Sequence, residues 1–295
     1  MNICLLVIMS GLFSSSAAAG RIVRDRATKT ITIHPQSTVD SLVILTHGLG
    51  DSAEGFADVA QMFSAKLPTT KFVLPTAPNQ PVTLNGGMRM PSWYDITGLS
   101  DRANEKCEGI EESSKIIQDI MDANNAEGIP YNKMLLAGFS QGGALSLFTG
   151  LQLPKEKKLS GIFVMSGYLA GAKAFKLTPG LESTPVLHCH GKIDPMVQFS
   201  WAEQTRDAVV GMGVSNYVLK EYPTMEHSVC PDELEVGLRF IASSFEGASL
   251  ADKPVDEMSI KELKMAISHA GLGDKAVGLL EKQDFVNLLK EKREL

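Results

Sequence analysis

A chain of 295 residues, 44% hydrophobic and 21% charged, has enough material for one core of about 200 to 250 residues and a small appendage. Its formal net charge of −6 argues against a general nucleic-acid binder, which carries a basic surface. Beyond the first twenty residues no stretch is apolar enough to span a bilayer.

In chain order, residues 1–20 place an apolar run around Cys4, Leu5, Leu6, Val7 and Ile8 before the small-residue tract that ends Ala17-Ala18-Ala19. This resembles a secretory signal peptide with a cleavage site near Ala19, although the usual basic start is missing. A body over residues 21–245 follows. Residues 31–34 form a short first strand and residues 42–46 a firmer one. The glycine turn His47-Gly48-Leu49-Gly50-Asp51 then feeds a helix from Ala53, with Asp51 and Glu54 at capping-box spacing and Phe56, Val59, Phe63 and Leu67 on its apolar face. Residues 72–74 are a strand, followed by a long loop and a helix over residues 107–123.

The next strand, residues 133–138, turns at Ser140 into a helix whose Leu145, Phe148 and Leu151 share one face. Strands at 161–166, 185–190 and 216–220 alternate with a helix at 199–210 and a closing helix containing Leu234, Val236, Leu238, Phe240 and Ile241. Such alternation defines an α/β fold, a mostly parallel sheet covered on both faces by helices. Ligands in such sheets bind beyond the carboxyl ends of the strands.

Residues 246–258 are polar and read as a linker. After them, Ser259 and Glu262 form a capping-box signature before Leu263, Ala266 and Ile267; Gly271-Leu272-Gly273 breaks that helix, and Phe285, Leu288 and Leu289 mark a second one. Residues 259–295 are thus a small helical hairpin.

The chemistry centres on Gly138-Phe139-Ser140-Gln141-Gly142. The five-residue pattern by itself is a weak signal; its position between an apolar strand and a helix gives it weight. Glycines flank the serine because strand and helix nearly touch at such an elbow, leaving no space for Cβ atoms. A serine hydroxyl needs an imidazole to take its proton and a carboxylate to hold that imidazole. His227 and Asp194 each follow a strand, so both fall on the rim of Ser140. His47, His190 and His269 compete for the base role, and Glu226 for the acid role. The backbone N–H groups of Gln141 and Leu49 are the candidate oxyanion donors. Cys4, Cys107, Cys189 and Cys230 form no paired metal motif, and cleavage of the first segment would leave three, too few for complete pairing within one chain.

Taken together, His47-Gly48-Leu49-Gly50-Asp51, Gly138-Phe139-Ser140-Gln141-Gly142-Gly143, Asp194-Pro195, Glu226-His227, Leu74-Pro75-Thr76-Ala77-Pro78, Pro81-Val82-Thr83-Leu84-Asn85 and Met90-Pro91-Ser92-Trp93-Tyr94-Asp95 resemble the acyl-protein thioesterase, lysophospholipase and carboxylesterase group of small α/β-hydrolases over residues 30–245. The resemblance implies Ser140, Asp194 and His227 as catalytic triad, Leu49 and Gln141 as oxyanion donors, and no metal or dissociable cofactor. It further implies hydrolysis of acyl thioesters or esters, with S-acylated proteins, lysophospholipids or carboxylic esters as substrates. Leu84, Met88, Met90 and Trp93 match the family's loop beside the active site and are candidates for an acyl channel or for packing of that loop. The alternative is a non-catalytic lipid- or protein-binding scaffold of the same fold.

The C-terminal hairpin resembles a SAP-like module. With nine acidic and eight basic residues from Ala251 onward it is poorly suited to phosphate-driven nucleic-acid binding, and protein docking or structural capping is expected. The terminal Lys292-Arg293-Glu294-Leu295 is similar to an endoplasmic-reticulum retrieval signal. The two ends together predict residence in the endoplasmic-reticulum lumen or secretory pathway; the resemblance by itself implies the cytoplasm.

Overall fold

The computed structural model describes residues 20–98, 105–251, 253–270 and 272–293. The expected signal over residues 1–19 and the last two residues of the retrieval-like tetrapeptide lie outside the described residues.

Among the described residues, eight strands form one sheet in the order β1 (Arg21–Arg24), β2 (Ile31–His34), β4 (Thr70–Leu74), β3 (Ser41–Thr46), β7 (Met134–Phe139), β8 (Gly161–Met165), β9 (Val186–Gly191) and β10 (Tyr217–Tyr222). From β4 to β10 every pairing is parallel, whereas β2 pairs antiparallel with both β1 and β4. The parallel strands are connected through α1 (Ala57–Lys66), α2 (Ile110–Ala126), α3 (Gln141–Gly150) and α4 (Phe199–Gly211), and α5 (Pro231–Ala251) closes the body.

The two-residue period of the strands divides the core into two layers. Leu42, Ile44, Leu136, Ile162 and Val164 face Ile117, Met121, Ala144, Leu145 and Val209 from α2, α3 and α4. Their neighbours Val43, Leu45, Leu135, Ala137 and Phe163 face Val59, Phe63, Leu234 and Ile241 from α1 and α5. Each fully buried large aliphatic or aromatic side chain in these layers contributes roughly 1.5–3 kcal/mol. α3 departs from the one-faced helix expected, because all ten of its residues are buried; it lies in the centre of one layer, covered on every side.

Three local expectations gave way to tertiary contacts. The Asp51–Glu54 capping box does not form. The chain there is a short 3-10 turn, Ala53–Phe56, and Glu54 instead pairs with Arg24 of β1 at 2.7 Å while Thr76 Oγ1 accepts the Ala53 N–H at 3.0 Å. Within the expected long loop, β5 (Asn79–Val82) and β6 (Met88–Pro91) form an antiparallel hairpin. Finally, α5 runs to Ala251, through the first half of the stretch read as a linker.

Beyond it, α6 (Ile260–His269) carries the expected capping box, with Ser259 Oγ accepting the Glu262 N–H and Glu262 accepting the Ser259 N–H. Together with α7 (Lys282–Arg293), it builds a separate apolar cluster from Val255, Met258, Leu263, Ile267, Phe285 and Leu289. This unit touches the body where Asn216 donates to Ser268 O at 3.5 Å. Among the described residues no helix is long and apolar enough to cross a membrane.

Candidate active site

Parallel strands deliver their carboxyl ends to one rim, and the loops after β7, β9 and β10 carry Ser140, Asp194 and His227 respectively. Ser140 has φ 53° and ψ −119°, a backbone conformation that an L-residue adopts only under constraint. The constraint is local: Ser140 N–H donates to Met165 O at 2.8 Å, and Ala144 N–H donates to Ser140 O at 3.0 Å. The flanking glycines are required by contact distance. A Cβ on Gly142 would lie 2.4 Å from Thr46 O, and one on Gly138 2.4 Å from the Gly142 carbonyl carbon. Any larger residue at either position would push α3 away from the sheet.

His227 bridges the other two side chains. Its Nε2 lies 2.9 Å from Ser140 Oγ and its Nδ1 lies 2.7 Å from Asp194 Oδ2. Asp194 Oδ1 accepts the N–H groups of Met196 and Val197, each at 2.8 Å. Burial pushes the Asp194 carboxyl upward, but hydrogen bonds from His190 and His227, the His227 charge and the Val197 N–H outweigh it and hold the group well below the usual carboxylate range. Ionised Asp194 only accepts, so His227 Nδ1 carries a hydrogen; in the neutral imidazole tautomer this selects, Nε2 is the atom that can accept from the serine hydroxyl. The Phe139 ring, 4.9 Å from the imidazole, supports it from the side.

The rival residues have other positions. Glu226 is exposed, and the Nδ1 it would have to engage is already paired with Asp194. His47 is buried; its Nδ1 donates to Gly48 O at 2.7 Å and its Nε2 accepts the Ala77 N–H at 3.0 Å, so it braces the turn that carries Leu49. His190 lies behind Asp194, and His269 ends α6 in the C-terminal unit.

The two candidate oxyanion donors occupy adjoining backbone. Gln141 is the first residue of α3, where helix geometry leaves the N–H without an intrahelical acceptor. The turn carrying Leu49 abuts Ser140: a Cβ on Gly48 would lie 3.4 Å from Ser140 Cβ. Gly50 N–H donates to Pro91 O at 2.8 Å, tying this turn to the β5–β6 hairpin.

The four channel candidates are spread over different surroundings. Met90 is half-buried, and its sulfur would lie 3.7 Å from a Cβ on Gly50, beside the Leu49 turn. Leu84 is partly buried against the core, while Met88 is 65% exposed on the hairpin. Of the two readings for Trp93, acyl channel or packing of the loop, its surroundings fit packing: it is fully enclosed. Its Nε1 donates to His47 O at 2.8 Å and its backbone N–H to Gln141 Oε1 at 2.9 Å. The Gln141 side chain, missed in the sequence, completes this clamp by donating to Tyr94 O at 2.7 Å. A long polar side chain inside an otherwise apolar helix start was the available signal, since such a group must find partners when buried.

Cys107, Cys189 and Cys230 carry thiols and are not joined in disulfides. Among the described residues, no cluster of three or more His, Cys, Asp or Glu side chains is arranged to hold a metal ion.

A parallel sheet with a strained serine at a strand-to-helix elbow, joined to histidine and aspartate from later loops, defines a serine hydrolase of the α/β-hydrolase fold. Comparison with known proteins agrees: residues 27–245 match the family described as Phospholipase/Carboxylesterase, and the chain belongs to it. It is 39% identical over 224 residues to acyl-protein thioesterase 1 of Mycosarcoma maydis, covering 70% of this chain and 92% of that one. It is 36% identical over 221 residues to acyl-protein thioesterase 1 homolog 1 of Dictyostelium discoideum, covering 73% and 93%. Among solved structures, Arabidopsis thaliana SOBER1 superposes with a TM-score of 0.63 at 30% identity, covering 69% of this chain and 98% of the other. Zea mays acyl-protein thioesterase 2 does so with a TM-score of 0.63 at 26% identity, covering 73% and 98%. The chain is therefore an enzyme, and the non-catalytic scaffold is set aside.

Proposed function

We propose that this enzyme hydrolyses fatty acyl thioesters and esters through an acyl-serine intermediate, with S-acylated proteins, lysophospholipids or carboxylic esters as its substrates. The observation that carries the reading is the continuous hydrogen-bonded path from Ser140 through His227 to Asp194. The names of its thioesterase relatives support the choice of acyl group.

In this reading Ser140 Oγ attacks the carbonyl carbon while its proton passes to His227 Nε2. Asp194 stabilises the resulting imidazolium without taking the proton. The Leu49 and Gln141 N–H groups hold the tetrahedral oxyanion. Collapse breaks the C–S or C–O bond, and the leaving thiol or alcohol departs with the proton from His227. Water, deprotonated by His227, then releases the fatty acid and restores Ser140. A thiolate leaves more readily than an alkoxide, so thioester cleavage depends less on proton donation by His227 than ester cleavage does.

The apolar run before Ala17-Ala18-Ala19 favours the secretory pathway, with the cytoplasm implied by the family resemblance as the alternative, and the separate apolar cluster of α6 and α7 supports a docking or capping unit. Protease protection in fractionated cells tests the location: digestion without detergent of a protein that retains Met1 overturns it. The activity is tested by comparing wild type with Ser140→Ala on palmitoyl thioester, lysophospholipid and short-chain ester, reading kcat/KM for each. Retained turnover in Ser140→Ala would overturn the acyl-serine route.

A further inference from the structure

Behind the triad lies a second line of hydrogen bonds that the chemistry above does not use. His190 and His188 are both fully buried, at successive inward positions of β9. His190 Nε2 lies 2.7 Å from Val197 O and 3.5 Å from Asp194 Oδ2. His190 Nδ1 lies 3.2 Å from His188 Nε2, and His188 Nδ1 lies 2.7 Å from the Tyr217 hydroxyl on the neighbouring strand β10.

The partners dictate which atoms carry hydrogen. The Val197 carbonyl and the Asp194 carboxylate only accept, so His190 Nε2 must donate. Burial first, and the neighbouring His190 second, hold His188 well below the ordinary histidine value against an opposing contribution from the Gly167 backbone. His188 is therefore neutral, with one donor and one acceptor. The Tyr217 O–H finds its acceptor at His188 Nδ1, which leaves the hydrogen of the neutral His188 ring on Nε2, donated to His190 Nδ1. Burial pushes the Tyr217 phenol upward, keeping it a donor. All donations thus run in one direction, from the sheet edge toward the active site.

The end of this line meets Asp194 twice. His190 Nε2–H points at Val197 O and Asp194 Oδ2, and the same Val197 gives its N–H to Asp194 Oδ1 at 2.8 Å. One ring therefore fixes both the carboxylate and the peptide that holds it. We propose that Tyr217, His188 and His190 are positioning residues: a one-way hydrogen-bond relay that fixes the orientation of Asp194, and through it the His227 tautomer that accepts the serine proton. The proposal rests on the triad reading given above.

The test compares substitutions that keep or break the relay without altering its volume. Gln at position 188 offers an acceptor to Tyr217 and a donor to His190, whereas Leu offers neither. His188→Gln is expected to retain kcat within about two-fold, and His188→Leu to lose roughly ten-fold or more in kcat with KM within about two-fold, the range typical of orienting partners behind an active group. Tyr217→Phe, which removes only the first donor, is expected to lower kcat by a smaller factor in the same manner. Equal kcat for His188→Leu and wild type overturns the relay, as does a loss in His188→Gln as large as in His188→Leu.

A second measurement does not depend on activity or on the folding of a variant. Nitrogen-15 spectra of the histidine rings in the wild-type protein are expected to show His188 neutral at neutral pH, with its hydrogen on Nε2. Hydrogen on Nδ1, or an imidazolium, overturns the proposal. Asp194→Asn separates the two readings: unchanged turnover there defeats the triad assignment itself, whereas lost turnover there with full turnover in His188→Leu defeats the relay alone.

Discussion

Glu233 sits in the first turn of α5 with no exposed surface, and neither carboxyl oxygen is held in a well-formed hydrogen bond, the Cys230 N–H being its nearest donor. Burial pushes its carboxyl from 4.5 up to about 8; the Cys230 N–H, which favours the anion, offsets only part of this. Its neighbours Cys189, Tyr222 and Cys230 are weak acids and supply no stabilising cation. The folded protein therefore keeps a proton that the unfolded chain releases above 4.5, so this group subtracts stability as pH rises from about 4.5 to about 8 and no further beyond. At 1.36 kcal/mol per unit, the 2.5 units between 4.5 and pH 7 amount to about 3 kcal/mol, an order-of-magnitude figure. Glu233→Gln preserves the shape and removes the titration. Since the protonated acid is itself unsatisfied, the buried amide adds little new cost. The two proteins are expected to match near pH 4.5, with the variant gaining about 3 kcal/mol over wild type at pH 7, or roughly 6 to 12 °C in Tm. Urea unfolding followed by circular dichroism across this range reads the difference directly. Parallel stability curves for the two proteins would refute the reasoning.

Ser140→Ala should lower kcat by about 10⁴-fold or more, while Leu49→Ala, which keeps the backbone N–H, should retain most activity; equal losses in single-turnover assays would argue against a backbone donor at Leu49. Gln141→Leu removes the acceptor of the enclosed Trp93 N–H and one donor to the Tyr94 carbonyl, and should cost about 1–3 kcal/mol in a denaturant titration, because the buried Trp93 N–H loses its partner. Gly142→Ala forces a Cβ to within 2.4 Å of Thr46 O, and should destabilise the elbow by about 1–3 kcal/mol or more while reducing kcat; an unchanged urea midpoint would contradict the packing argument.

Much of the architecture was legible along the chain because its signals are local. Apolar strands alternating with amphipathic helices, glycines around Ser140 and the capping box at Ser259 each depend on residues a few positions apart. That Asp194 and His227 fall on the same rim as Ser140 was legible as well, since each follows a strand and all parallel strands end on one side. Other features depended on partners far away in the chain. Glu54 had a capping partner within reach, yet Arg24 on β1 took its carboxylate; the pattern left Trp93 open between acyl channel and loop packing, and its hydrogen bonds to His47 and Gln141 enclose it. The hairpin β5–β6 was hidden for the same reason, its pairing being visible only once both short strands lie side by side.

The line from Tyr217 through His188 and His190 to Asp194 is the clearest case. Residue types and strand periodicity place two histidines on one face of β9, but only the adjacent strand supplies the hydroxyl, and only the folded loop turns the Val197 carbonyl toward the ring. Secondary structure and the rim that gathers Ser140, Asp194 and His227 follow from short-range sterics and solvation, which a linear pattern carries. Hydrogen bonding selects among distant partners by distances and angles of a few tenths of an ångström and a few degrees, and those exist only after the chain has closed on itself.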